Sequence, residues 1–99
     1  MKKPVIVREE AEADLAEAYQ WYEQQVLGLG EEFLLCVDAV MASIESNPHL
    51  YPFVHKRVIR RALTERFPYG VFFVEGEQSV SVIAVAHAKR SPQFWQERG

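Results

Sequence analysis

The 99-residue sequence predicts an α+β domain, with a helical hairpin packed on one face of a largely antiparallel sheet in the order β-α-α-β-β-β-α. Three observations carry this. Two apolar stripes of helical spacing precede residue 47 and are separated by Leu27-Gly28-Leu29-Gly30. From residue 53 the period shortens, and segments rich in Val, Ile, Phe and Tyr follow one another. Glu75-Gly76-Glu77 then joins the last two of these as a tight hairpin turn.

The elements follow in order. Pro4-Val5-Ile6-Val7 is short, apolar and β-branched, and reads as a first strand. Ala11, Leu15, Ala18 and Tyr22 form one stripe of a first helix, with Glu9, Glu10 and Glu12 at its N-terminus, where carboxylates suit the positive end of the helix dipole. No Ser, Thr, Asn or Asp stands at the expected N-cap. Gly28 or Gly30 supplies the left-handed residue that ends this helix. Phe33, Val37, Val40 and Ile44 form the stripe of a second helix, and the short connection makes the pair antiparallel. Asn47-Pro48 ends it, because proline disfavours helical geometry in the residue before it. His49 to Pro52 reads as a loop.

Strands are expected over residues 57–62, 66–74 and 79–86. Phe67, Tyr69, Val71 and Phe73 alternate onto one face, and Phe72 and Val74 onto the other. In the last strand Val80, Val82, Ala84 and Ala86 should oppose Ser81, Ile83, Val85 and His87. Both faces carry apolar residues, so these strands are central and covered on both sides. Ser91-Pro92 caps a short C-terminal helix, with Pro92 at its first position and Phe94 and Trp95 as anchors.

Length and composition narrow the functional classes. The whole chain, residues 1–99, is one domain, since a domain takes roughly 100–150 residues. With 48% hydrophobic and 25% charged residues it folds rather than remaining disordered. No unbroken apolar run exceeds five residues, against the ~20 of a membrane helix, and no signal-peptide core follows the first lysines. The lone Cys36 excludes an internal disulfide framework and reads as a small buried apolar group. The expectation is a soluble cytoplasmic protein without membrane contact. His49, His55 and His87 lack metal-ligand spacing, and no phosphate loop or dinucleotide fingerprint occurs. Neither a metal nor a cofactor is expected.

The net charge of −3 hides an asymmetry. Residues 1–54 hold 3 basic and 10 acidic groups; residues 55–99 hold 8 basic and 4 acidic. Lys56, Arg57, Arg60, Arg61 and Arg66 accompany the first strands of the basic half, and His87, Lys89 and Arg90 follow the last strand's end. Such a surface suits an anionic partner, either nucleic acid or an acidic peptide. It also contains the parts for metal-free RNA cleavage, with His87 as base and arginines stabilising phosphate charge. On the first helix Tyr22 shares the core stripe, whereas Tyr19 and Trp21 point aside, either under flanking loops or into an exposed groove.

Several short segments carry a likeness that spans nearly the whole chain. They are Ala13-Asp14-Leu15 with Trp21-Tyr22, Leu29-Gly30 with Phe33, Pro48 with Tyr51-Pro52, and Ile59-Arg60-Arg61-Ala62. Phe67-Pro68-Tyr69-Gly70-Val71-Phe72-Phe73 follows, then His87-Ala88-Lys89-Arg90-Ser91-Pro92 with Trp95. In this order they resemble the RelE/ParE toxin superfamily of bacterial toxin–antitoxin modules, in particular its ParE-like, plasmid-stabilisation branch. The resemblance implies a toxin neutralised by a cognate antitoxin that wraps it with a flexible C-terminal segment. ParE-like members poison DNA gyrase, whereas RelE-like members are endonucleases that cut mRNA on the ribosome. On this basis Arg60, Arg61, His87, Lys89 and Arg90 are expected to meet the target, and Tyr19, Trp21, Lys56, Arg57 and Arg60 the antitoxin. Cleavage, if present, would use His87, Arg61 and Arg90. The last tyrosine is Tyr69, so the terminal tyrosine of the cleaving relatives has no counterpart. A pI of 5.6 is also low for docking among ribosomal RNA phosphates. Both favour gyrase over the ribosome as target; a degenerate toxin that retains only antitoxin binding is the third possibility.

Overall fold

The computed structural model describes residues 3–99; Met1 and Lys2, within the expected domain, lie outside the described residues. The elements are β1 (Val5–Val7), α1 (Glu9–Gln25), α2 (Leu29–Ser46), a single 3₁₀ turn (Pro48–Leu50), β2 (Phe53–His55), β3 (Ile59–Leu63), β4 (Tyr69–Glu75), β5 (Val80–His87) and α3 (Gln93–Gln96). One five-stranded sheet has the order β1-β5-β4-β3-β2, parallel only where β1 meets β5. This is the expected α+β fold with one strand more than the sequence suggested.

The helical hairpin is closed by side chains of α1. The N-cap residue of α2, Gly28 at φ 90°, has no side chain with which to cap it. Instead the Glu23 carboxylate accepts from the N–H groups of Gly28 (3.2 Å) and Gly30 (2.8 Å), satisfying donors that a helix start leaves without partners. Gly28 is therefore the left-handed residue of the connection, while Gly30 is helical and marks where the helices touch. A Cβ on Gly30 would lie 2.7 Å from the Tyr19 carbonyl oxygen and 2.8 Å from its ring. Alanine normally favours a helix over glycine by about 1 kcal/mol, but here the opposing contact is backbone, and overpacking of that kind costs roughly 1–3 kcal/mol. Gly30→Ala is expected to destabilise the fold by about 1–2 kcal/mol. A thermal melt in which the variant matches or exceeds the native protein would show that the hairpin opens without cost.

The predicted stripes meet the sheet. Ala11, Ala18 and Tyr22 of α1 and Phe33, Val37 and Ile44 of α2 pack on Val71, Phe73, Val80, Val82 and Val85. Tyr22 lies among Phe33, Phe67 and Tyr69, with ring centroids 5.3, 4.9 and 6.1 Å away. Burying each such ring contributes about 1.5–3 kcal/mol. On the opposite face Ile59, Phe72, Ile83, Ala84 and Ala86 form a second, smaller cluster, closed by Trp95, which stacks on Phe72 at 4.4 Å. The central strands are covered on both sides, as their composition requires.

Four local readings are corrected. Residues 57–62 are not one strand: Lys56 (φ 51°) and Arg57 (φ 53°) are left-handed and turn the chain between β2 and β3. Without glycine or asparagine at those positions the sequence carries no turn signal there. The strand expected from residue 66 begins at Tyr69, because Arg66 is also left-handed (φ 70°). Pro92 precedes α3 as its N-cap instead of occupying its first position. The fourth correction concerns β5. Phe72 pairs with Ala84 but Phe73 with Val82, so Ile83 is an extra residue, a β-bulge. Val80 and Val82 face the helices, as does Val85, while Ile83, Ala84 and Ala86 face away. The strict alternation expected for this strand fails from Ala84 onward, and His87 is thereby turned toward α1.

Candidate binding cleft

The bulge shapes a cleft of about 600 Å³ where the end of β5 diverges from α1. Val85 and Tyr69 form its floor, and Glu17, Ala18 and Trp21 of α1 one wall. His87, Lys89, Arg90 and Phe94 close the other side. Trp21 is 56% exposed and rests edge-on against Tyr22 with centroids 5.1 Å apart. The Arg90 guanidinium lies 4.0 Å from the centre of the Phe94 ring, and that of Arg98 lies 4.3 Å from it. The cleft thus joins an apolar floor to a cationic rim, with the Glu17 carboxylate opposite. Burial, reinforced by Glu17 and opposed by Arg90, pushes the Tyr69 hydroxyl above its ordinary range, so it stays protonated and able to donate.

A half-buried clamp holds the strand edge beside this cleft. β1 pairs only with Val80, Ser81 and Val82, so the later half of β5 has no strand on that side. Asp14 of α1 accepts from the Val85 N–H (3.0 Å) and from Arg98 Nη1 (2.6 Å). Arg98 Nη1 in turn donates to the Ile83 carbonyl (3.2 Å). Two backbone groups that the bulge leaves without a ladder partner are satisfied by one ion pair, which also blunts an exposed strand edge.

His87 is held as well. Its ring lies 5.3 Å from that of Tyr69, and its Nδ1 accepts from the Lys89 N–H at 3.0 Å. With Nδ1 as acceptor, the neutral imidazole carries its proton on Nε2. A neutral ring engaged in this way has no free lone pair of the kind a general base needs.

Comparison with known proteins places this arrangement. Residues 5–92 match the family model described as ParE toxin of type II toxin–antitoxin system, parDE. The chain belongs to the ParE toxin family. Among solved structures, a chain of the chromosomal ParDE TA system from P. aeruginosa is similar, with 13% identity and a TM-score of 0.77 over 87% of this chain and 96% of that one. At that identity the likeness concerns the fold. No curated protein matches the sequence.

On the ParE frame the expected site residues separate. His87, Lys89, Arg90 and Trp21 converge on the cleft. Tyr19 does not: it lies against α2, packs on Gly30 and reaches the Glu31 carboxylate at 3.4 Å. Lys56 and Arg57 sit at the tip of the β2–β3 hairpin, at the opposite edge of the sheet. Arg60 donates to the Tyr51 carbonyl (2.6 Å) and covers the Phe53 ring at 3.8 Å. Arg61 lies across Gly70 and beside Phe72, on the face away from α1 and α2. His87, Arg61 and Arg90 therefore do not surround one phosphate position. Sequence reasoning named Asp14 and Phe94 without giving them a place in the site, and did not name Arg98. Asp14 carried a signal, as a carboxylate spaced with Ala11 and Ala18 on the buried side of a helix; Arg98 carried none. Among the described residues no helix is long and apolar enough to cross a membrane.

Proposed function

We infer that this ParE-family toxin is neutralised by a cognate antitoxin seated in the α1–β5 cleft, and that it acts on DNA gyrase by binding. The observation that carries the reading is the cleft itself: an apolar floor with an exposed tryptophan, a cationic rim, and a histidine whose Nδ1 is engaged by the Lys89 N–H. An amphipathic segment with acidic flanks matches that surface, its apolar side chains against Trp21 and Val85 and its carboxylates near Lys89 and Arg90. Two features argue against RNA cleavage: the engaged His87, and the placement of Arg61 on the far face of the sheet. On this reading the toxin acts in the cytoplasm.

The test is one preparation in two assays. The purified toxin is expected to inhibit gyrase supercoiling and leave cleaved DNA, with antitoxin reversing both. His87→Ala should weaken this less than tenfold, since one contact is lost, whereas losing a general base typically costs ~10²–10⁴ in rate. Ribosome-dependent mRNA cuts that vanish in His87→Ala, with gyrase untouched, would overturn the reading in favour of the nuclease.

A further inference from the structure

The two walls of the α1–β5 cleft carry opposite charge, and on each wall a charge stands without a partner. On α1 the residues lining the cleft include Asp14, Glu17, Ala18 and Trp21, one stripe of the helix. Asp14 is engaged by Arg98 and the Val85 N–H. Glu17, one turn further on, is exposed and forms no ion pair among the described residues. Across the cleft Lys89 and Arg90 are exposed and form none either. Arg90 shares the Phe94 ring with Arg98, so its guanidinium is set in place while its charge stays unanswered.

Opposite charges on facing walls pair when the gap lets them meet. Here a cleft of about 600 Å³ holds them apart over a floor that includes Tyr69 and Val85. The Tyr69 hydroxyl feels both walls: burial raises it most, Glu17 raises it further and Arg90 lowers it. Whatever is seated on that floor therefore lies between a carboxylate and a guanidinium. A wholly acidic segment suits one wall and is repelled by the other. A segment with an acidic residue toward Arg90, a basic one toward Glu17 and an apolar side chain between them answers both. Turned end for end, it would bring like charges together on each wall, so it fits in one direction only.

We propose that Glu17 is a specificity residue of the cleft, which selects a basic side chain on the antitoxin segment opposite the acidic one that Lys89 and Arg90 receive, and so fixes the direction in which the segment is seated. The assignment rests on the antitoxin occupying the cleft, and it confines the acidic residues of that segment to one of its sides.

Reversing Glu17 separates this from a cleft that attracts carboxylates alone, where a further cation would tighten the complex. The cognate antitoxin is titrated calorimetrically into the native toxin and into Glu17→Gln, Glu17→Lys and Trp21→Ala. Glu17→Gln is expected to weaken binding up to about fivefold, the effect of an exposed ion pair. Glu17→Lys should weaken it at least about tenfold, because repulsion replaces attraction. Both replacements are good helix formers at an exposed position, so thermal melts should stay within a few degrees of the native protein. In 0.5 M salt the Glu17→Lys loss should shrink to about threefold or less, which damage to packing would not do. Weaker binding by Trp21→Ala with unchanged or tighter binding by Glu17→Lys would overturn the proposal and leave the antitoxin in the cleft. Full affinity in both variants would remove the antitoxin from the cleft and the proposal with it. A Glu17→Lys loss undiminished by salt would also overturn it.

Discussion

Tyr22→Ala is expected to destabilise the domain by about 3–5 kcal/mol, a large share of what holds a 99-residue protein folded. Tyr22 is 8% exposed and, besides its neighbour Trp21, contacts three rings, Phe33 from α2, Phe67 from the segment before β4 and Tyr69 from β4 itself. Its removal opens a cavity where both helices meet the sheet, and the neighbouring aromatic residues are too rigid to fill it. Edge-to-face ring contacts, worth about 0.5–1.5 kcal/mol each, are lost together with the buried area. For a domain of this size the melting temperature should fall by at least 12 °C. A urea or thermal transition within 1 kcal/mol of the native protein would mean that Phe67 and Tyr69 collapse into the gap.

Trp21→Ala should do the opposite, sparing the fold and removing the partner. The side chain is more than half exposed and meets the core ring of Tyr22 edge-on. Stability should change by less than about 1 kcal/mol. Buried tryptophans at the centre of interfaces commonly contribute 2–4 kcal/mol, so affinity for the cognate antitoxin is expected to fall by roughly 30- to 1,000-fold. Tyr19→Ala is the natural control. Tyr19 is two residues away in sequence but lies against α2, and its loss should leave that affinity within about threefold. Calorimetric titration of both variants separates the two positions. Equal losses would place the antitoxin on the outer face of the helical hairpin instead of in the cleft.

The contrast between these neighbours shows what could be read from the sequence. Helical spacing assigned Tyr22 to the core, because a stripe at i, i+4, i+7 needs only the helix's own geometry. It did not separate Tyr19 from Trp21, since both lie off the stripe and the side each reaches depends on what packs there. Gly30 decided that for Tyr19 by letting α2 approach its backbone. The β4–β5 hairpin was legible as two apolar segments on either side of Gly76, although its loop runs on to Ser79, whereas the β2–β3 hairpin was hidden because Lys-Arg stands where turn chemistry calls for other residues.

The candidate site divides in the same way. The sequence by itself determined the fold class, the two helices, the residues that fill the larger core and the family to which the chain belongs. All of these rest on local periodicity or on segments read in order. Only the tertiary structure decided that Ile83 is an extra residue opposite β4. One bulge reverses every side chain after it, and it is defined by the count on the partner strand, not by the strand's own composition. That reversal turned His87 into the cleft and left the Val85 N–H for Asp14. The ion pair that answers it joins residues 84 positions apart, Asp14 and Arg98. The basic half of the chain, continuous in sequence, became two surfaces at opposite edges of the sheet, because strand order places β4 between β3 and β5.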